Sequence, residues 1–240
     1  MKRLSFAAIT FAAVTAAGAA LAADLPAPAY KTPAMAPAPI YSWTGFYIGV
    51  EGGWGFGRAD QTDSGGFNSG TYNVNGGLIG GTLGYNWQMG QAVFGLEGDG
   101  SYSWIKGSTA GTLGGCGGAP PNCSSNLQAL GTFRGRLGWA IDRVLPYVTG
   151  GLAVGSLHGA EGDVAANGAF GSGSTTVAGW TVGGGVEVAL APNWSAKVEY
   201  LHVDLGNHSI FNDTFTNGTI LPESIKFTTE IVRGGVNFKF

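Results

Sequence analysis

The chain has 240 residues, enough for one or two soluble domains or one barrel, and only 11% of them are charged, against roughly 25% in soluble domains. Glycine supplies 44 residues without a three-residue period, which excludes collagen, and the 12% of aromatic residues argues against a disordered glycine-rich chain. The net charge is −3 and no basic patch is present, so nucleic-acid binding has no electrostatic support.

Residues 1–22 are predicted to be a cleaved secretory signal peptide. An alanine-rich apolar run follows a basic start, and a small-residue Ala-Leu-Ala pattern predicts cleavage after Ala22. A membrane-anchoring helix is the alternative, and it is disfavoured because the run meets a cleavage pattern rather than a charged stop. Residues 23–42 are predicted to be a periplasmic leader outside the fold, because their prolines favour extended, unpaired backbone.

From Trp43 onward, the chain consists of segments in which bulky apolar residues alternate with small or polar ones. In the first segment, residues 43–58, Ile48 and Val50 alternate with Gly49 and Glu51. Each segment is long enough to cross a bilayer, which takes about 9–11 tilted residues. Seven more follow, at residues 74–87, 91–105, 127–141, 145–158, 176–190, 194–206 and 224–240.

The links between these segments alternate between short and long. Short links lie at residues 88–90, 142–144 and 191–193, and long polar links lie at about 59–73, 106–126, 159–175 and 207–223. Short turns at one end and long loops at the other are typical of outer-membrane barrels. Residues 43–240 are therefore predicted to form an all-β, eight-stranded antiparallel transmembrane barrel with short periplasmic turns and four long extracellular loops.

The apolar row is predicted to face lipid, and the row of glycine and charge is predicted to face the lumen. A soluble lipocalin-like barrel would need the second row in water, and that row is too rich in glycine and too thinly charged for a solvated face. Aromatic residues near the segment ends are expected to form interfacial girdles. These residues are Trp43, Trp54, Phe56, Trp87, Trp104, Trp139, Trp180, Trp194, Tyr200 and Phe240.

The lumen row contains acids and bases in equal number, as expected if each confined charge needs a partner. We interpret them as a structural charge network, with a catalytic or ion-selective site as the alternative, and the pairing cannot be read from the alternation. The acids are Glu51, Glu97, Asp99, Glu187 and Glu199, and the bases are Arg134, Arg136, Lys197, Arg233 and Lys239.

The chain resembles the small outer-membrane β-barrel proteins of alphaproteobacteria, the porin family that includes opacity-type and outer-membrane-protein-A-like surface antigens. The resemblance is carried by ADLPAPAYKTP, YSWTGFYIGVEGGWGFG, GTFRGRLGWA, PYVTGGLAVG and a final GGVNFKF. It implies an outer-membrane location with lipid and lipopolysaccharide as partners, and it implies that the barrel-assembly machinery reads Phe240. It names no substrate, because members are called porins, surface antigens or structural proteins.

Two cysteines, Cys116 and Cys123, lie within the long link CGGAPPNC. In an oxidising compartment, cysteines this close in sequence predict a disulfide that pins the loop. Metal binding is the alternative, and it is disfavoured because no histidine or acid is interleaved. No metal and no cofactor are expected.

The predicted function is a structural or surface-antigen role with a closed or very narrow polar lumen, because eight strands leave room for little more than side chains. A small porin-type diffusion channel is the alternative. A lipid-modifying enzyme is less favoured: His202 with Ser195, Asp204 or Glu199 is the only grouping on a strand, and no nucleophile is held by a base. The protein is expected to act as a monomer.

Overall fold

A computed structural model describes residues 41–63, 69–109, 123–162, 170–214 and 220–240. They form one closed antiparallel barrel in which each strand pairs with its neighbours along the chain and the last strand pairs with the first. This confirms the predicted architecture. The strands are β1 Gly45–Asp63, β2 Tyr72–Met89, β3 Ala92–Thr109, β4 Cys123–Trp139, β5 Val144–Gly162, β6 Phe170–Ala191, β7 Trp194–Thr214 and β8 Ile220–Lys239.

Within the described residues, no helix that could span a membrane is found.

The strands are longer than the sequence pattern predicted, and nearly all of the extra length lies at the end of the barrel that carries the long links. β1 continues to Asp63 and β7 to Thr214, while β6 begins at Phe170. Backbone pairing continues there although the outward side chains are no longer apolar, so a pattern of hydropathy underestimates the strands. The long links are correspondingly shorter than expected, at residues 64–71, 110–122, 163–169 and 215–219.

The apolar row faces outward over the lower part of the barrel, near the short turns. Val50 on β1 is 68% exposed, whereas the neighbouring Glu51 is 3% exposed. The same alternation separates exposed Val186 from buried Thr181 on β6. A soluble barrel would place its apolar row inside, so the lipocalin-like alternative is wrong for this part of the chain.

Toward the long links the two rows exchange character. On β7, Leu201 and Val203 point inward and are fully buried, while His202 between them points outward. On β8, Phe227 is buried inside and Lys226 is exposed outside. Water, not lipid, is the solvent that favours apolar side chains inside and polar ones outside. The exchange therefore marks the level at which the barrel leaves the hydrocarbon.

The outward apolar belt has the height of a membrane. On β1 it runs from Phe46 to Phe56, and both side chains are exposed. Ten residue steps of about 3.3 Å, tilted by about 40°, rise about 25 Å, which is the usual height of the apolar band of an outer-membrane barrel. The strands rise well beyond this belt, so the upper barrel stands outside the hydrocarbon.

Nine of the ten aromatic residues expected in the girdles are exposed on the outer surface, and Trp43 is the exception. Trp43 is 2% exposed, and its indole nitrogen donates to the carbonyl of Asp142 at 3.3 Å. Its backbone amide also donates to Gln88 Oε1 at 2.8 Å. These contacts hold it inside the lower mouth of the barrel, so its assignment to a girdle is wrong.

Placing a charge in the belt should destabilise the barrel. We expect Val186→Arg to lower the free energy of unfolding by about 2–4 kcal/mol, because an arginine near the middle of the hydrocarbon loses its hydration. The control is Thr176→Arg, on the same face of β6 but above the exchange of rows, where a change within about 0.5 kcal/mol is expected. Urea unfolding in liposomes measures both, and equal effects would place the membrane boundary elsewhere.

The long links should lie outside the cell and the short turns in the periplasm. An epitope tag inserted within residues 110–122 should bind its antibody on intact cells. The same tag inserted between Gly90 and Gln91 should bind only after the outer membrane has been permeabilised. Labelling of the second tag on intact cells would invert this orientation.

Candidate functional site

The interior of the barrel is built in three layers. A lower apolar layer lies at the end with the short turns and consists of Trp43, Val93, Ala140, Leu145 and Ala189, with Tyr41 packed against them. A charged layer lies above it. An upper apolar layer fills the part of the barrel that extends beyond the belt, and includes Ile105, Leu127, Leu157, Leu201, Val203, Leu205, Ile225, Phe227 and Ile231.

Arg134, on β4, lies at the centre of the charged layer. Its Nη2 lies 2.5 Å from Glu97 Oε1 and 2.9 Å from Asp99 Oδ2. Its Nη1 lies 2.9 Å from Glu199 Oε1, and its Nε donates to Thr132 Oγ1 at 2.8 Å. Since Glu97 and Asp99 belong to β3 and Glu199 to β7, this one guanidinium connects three strands across the lumen.

Arg233, on β8, provides the second bridge. Its Nη1 pairs with Glu51 and lies 3.1 Å from Asp99 Oδ1, and its Nη2 lies 2.6 Å from Glu199 Oε2. Arg134 and Arg233 thus share two carboxylates. Their like charges can lie close together because Asp99 and Glu199 stand between them, and such charge-assisted hydrogen bonds are the strong ones.

Lys197 completes this cluster from β7. Its Nζ lies 3.2 Å from Glu51 Oε2 and 3.2 Å from Glu97 Oε2. Tyr47 also donates its hydroxyl to Glu97 Oε2 at 2.8 Å. The cluster therefore joins four acids and three bases, all with side chains at most 2% exposed. Water does not reach these charges from outside, so they rely on one another and on neighbouring hydroxyls.

A separate pair lies closer to the short turns. Arg136 Nη2 lies 2.5 Å from Glu187 Oε2, and the guanidinium carbon stands 3.7 Å above the centre of the Tyr147 ring. Glu187 also accepts hydrogen bonds from Ser195 Oγ and, at 2.9 Å, from Asn237 Nδ2. The Tyr147 hydroxyl in turn donates to an oxygen of the main cluster, so the pair and the cluster form one continuous polar layer.

Lys239 is the one predicted lumen charge that stays outside this layer. Its Nζ donates to the Ser42 carbonyl and lies 4.4 Å from the centre of the Tyr41 ring. It is the last residue of β8, at the lower end of the barrel, where its side chain contacts the leader instead of the charged layer. Among the described residues, the charged layer thus contains five acids and four bases, one base fewer than the sequence predicted.

Glycines make room for these long side chains. A Cβ at Gly53 would lie 2.6 Å from the Cβ of Arg233, closer than real contacts allow. A Cβ at Gly235 would lie 3.2 Å from the Cβ of Glu51. Each Cβ would also lie against the backbone of the neighbouring strand, 2.3 Å from the Val232 carbonyl oxygen at Gly53 and 2.9 Å from that of Val50 at Gly235. Glycine at these two positions therefore lets the backbone lie close beside Arg233 and Glu51.

The alternation puts Tyr47 and Tyr147 on the lumen-facing row, but sequence reasoning gave them no part in the charge network, and it missed both apolar layers. Tyr47 and Tyr147 occupy the inward rows of β1 and β5, together with Glu51 and Thr149. The upper layer could also have been found, because on β7 the inward row continues from Lys197 and Glu199 into buried leucine and valine. The signal was the inward row of β7, if it is read beyond the end of the apolar belt.

The remaining sequence-predicted residues lie apart from the lumen charges. Cys123 begins β4 and is buried, whereas Cys116 lies outside the described residues, so the disulfide between them stays a prediction. Phe240 is exposed, and its amide donates to the Phe46 carbonyl at 3.0 Å. The predicted cleavage site at Ala22 also lies outside the described residues.

The grouping considered for an enzyme is not brought together. Ser195 and Glu199 point into the lumen, where both join the charged layer. His202 points outward, and its Nδ1 lies 2.7 Å from Glu230 Oε1. Asp204 accepts from the amide of Gly206 at 2.7 Å. In the part of the chain that the structure describes, no group of His, Cys, Asp or Glu side chains is arranged to hold a metal ion.

Two solved structures match this chain with low TM-scores. Neisserial surface protein A is 16% identical, with 82% of this chain and 98% of that chain covered and a TM-score of 0.41. The attachment invasion locus protein Ail of Yersinia pestis is 12% identical, with 81% and 99% covered and a TM-score of 0.39.

Sequence relatives match over nearly the whole chain. The 31 kDa outer-membrane immunogenic protein of Brucella melitensis is 37% identical, over 93% of this chain and 95% of the relative. The 25 kDa outer-membrane immunogenic protein of Brucella abortus is 30% identical, over 99% and 96%. The 22 kDa outer membrane protein of Rhizobium leguminosarum bv. viciae is 30% identical, over 84% and 80%. The model of the outer membrane protein beta-barrel domain matches residues 9–240. The chain therefore belongs to the outer membrane protein beta-barrel family and is a protein of the bacterial outer membrane.

Proposed function

We propose that this barrel is a structural and surface-displayed protein whose lumen is closed to ions and small solutes. The observation that carries the proposal is the stacking of the charged layer between two apolar layers. An ion that crossed would have to lose most of its hydration at each apolar layer. The buried polar side chains of Gln61, Tyr72 and Ser125 at the upper layer are hydrogen-bonded to one another. The charged layer adds a third obstacle, because its bases are already held by its acids.

The relatives support the display of the upper barrel at the cell surface. The two Brucella proteins are named as outer-membrane immunogenic proteins, and this chain spans at least 95% of the length of each.

In this proposal the signal peptide is cleaved after Ala22 and residues 23–42 stay in the periplasm. Tyr41 and Ser42 at the end of this leader already contact the barrel mouth through Lys239. The assembly machinery reads the exposed terminal Phe240, and the barrel acts as a monomer surrounded by lipid and lipopolysaccharide.

The conductance of the purified barrel in a planar bilayer tests the closed lumen. We expect no steady conductance, because both apolar layers exclude water. Refolding should be checked first by the heat-modifiable migration of the same preparation. A large and steady conductance would contradict the closed lumen and favour the small diffusion channel.

The ion pairs should be costly to break. Arg134→Ala with Arg136→Ala removes the partners of several buried carboxylates, and we expect a loss of about 3–5 kcal/mol in the free energy of unfolding for each fully buried pair. Arg143→Ala, at an exposed short turn, is the control and should change it by less than about 0.5 kcal/mol. Unchanged stability of the double variant, measured by urea unfolding in liposomes, would contradict the charged layer.

A further inference from the structure

A groove of about 820 Å³ lies on the outer surface of β8, β1 and β2. Its lower edge is Phe56, and Arg58 follows as the next outward residue of β1. Asn73 of β2 and Thr228 of β8 are the residues paired with Arg58 on either side. Lys226 lies diagonally above Arg58 on β8, because it pairs with Asp60. The groove therefore combines two cations and two acids, Asp60 and Glu230, with amide and hydroxyl groups on one outward face.

The height of the groove identifies what it meets. Phe56 is the last aromatic residue of the apolar belt on β1, and it is exposed. Arg58 lies two residues further, which is about 5 Å higher along the membrane normal for a tilted strand. A side chain at this level lies next to the headgroups of the lipid leaflet at the end of the barrel with the long links.

Both cations are available to a ligand: Asp60 and Glu230 also line the groove, but neither forms an ion pair with Arg58 or Lys226. Asp60 Oδ2 accepts from Thr71 Oγ1 at 3.2 Å. Glu230 accepts from Tyr200 at 2.6 Å and lies 2.7 Å from His202 Nδ1. These distances join Glu230 to β7 and leave Arg58 and Lys226 exposed, with no ion pair to any described residue.

The chemistry of the groove matches a phosphorylated sugar. Two cations on adjacent strands can hold one phosphate, and arginine is well suited because its planar guanidinium matches the phosphate oxygens. Asn73 and Asn75 of β2 offer amide donors and acceptors for sugar hydroxyls. Phe56 below them offers an apolar surface for an acyl chain.

We propose that this groove binds the phosphorylated sugar headgroup of an outer-leaflet glycolipid. Arg58 and Lys226 hold a phosphate, the asparagines of β2 contact the sugar, and Phe56 packs against the first part of an acyl chain. The inference rests on the proposed function in one respect, namely that the end with the long links faces the outside of the cell.

Binding of lipid A with both phosphates to the purified, refolded barrel in detergent tests this site. We expect Arg58→Gln and Lys226→Gln each to weaken binding about fivefold, because each removes one charge-assisted contact. The matched control is Arg143→Gln, which removes the same charge at the opposite end of the barrel and should bind as the unaltered protein does. Lipid A stripped of its phosphates should bind more weakly, and to all four proteins alike.

Equal binding of the phosphorylated lipid by the two groove variants and the unaltered protein would overturn the proposal. An equal loss in Arg143→Gln would also overturn it, because the attraction would then depend on overall charge. Displacement of lipid A by inorganic phosphate at the same concentration would show a simple anion site instead of a lipid site. None of these results bears on the closed lumen, which the conductance of the same preparation reports, and the epitope tags report the orientation separately.

Discussion

The pairing of β1 with β8 is the interaction on which the rest of the structure depends. It runs from Tyr47 opposite Lys239 to Asp63 opposite Glu223 and closes the sheet on itself. Closure satisfies every strand edge within the hydrocarbon, where an unpaired backbone group would cost several kcal/mol. It also places Glu51 of β1 beside Arg233 of β8, although the two residues are far apart in the chain. The lumen acquires its chemistry only when the barrel is closed.

A lumen of this width leaves its charges with little water, and this explains the form of the charged layer. A buried carboxylate without a partner is very costly, whereas a complete network is only weakly stabilising. Arg134, Arg233 and Lys197 each contact carboxylates from at least two strands. The network therefore constrains how β1, β3, β4, β7 and β8 lie relative to one another.

The barrel lies partly in lipid and partly in water, and the polarity of its inward and outward rows of side chains changes accordingly. In the belt, lipid accepts the apolar row and the lumen takes the polar one; above the belt, water takes the polar row and the interior becomes an ordinary apolar core. The upper core explains how strands nearly twice as long as a membrane requires can hold together outside it. In the proposed function the same residues also close the lumen.

The sequence by itself determined the number of strands, their order and the face on which most side chains lie. These features depend on a period of two residues and on the position of turns, which are both local. It placed Arg134 and Glu199 in the lumen for the same reason. It underestimated the strands because backbone pairing continues where hydropathy no longer marks it, and it missed the upper core because the rows exchange roles there.

Only the tertiary structure decided which charges meet. Arg134 contacts Glu199 because the registers of three successive strand pairs, from β4 to β7, together bring the two residues to the same height, and no local sequence pattern contains this information. The same holds for Trp43, which is buried and bonded to the turn at Asp142, and for Lys239, which contacts Ser42 and Tyr41 at the lower end of the barrel. Local periodicity determines the face on which each side chain lies, whereas closure of the barrel determines which side chains it contacts.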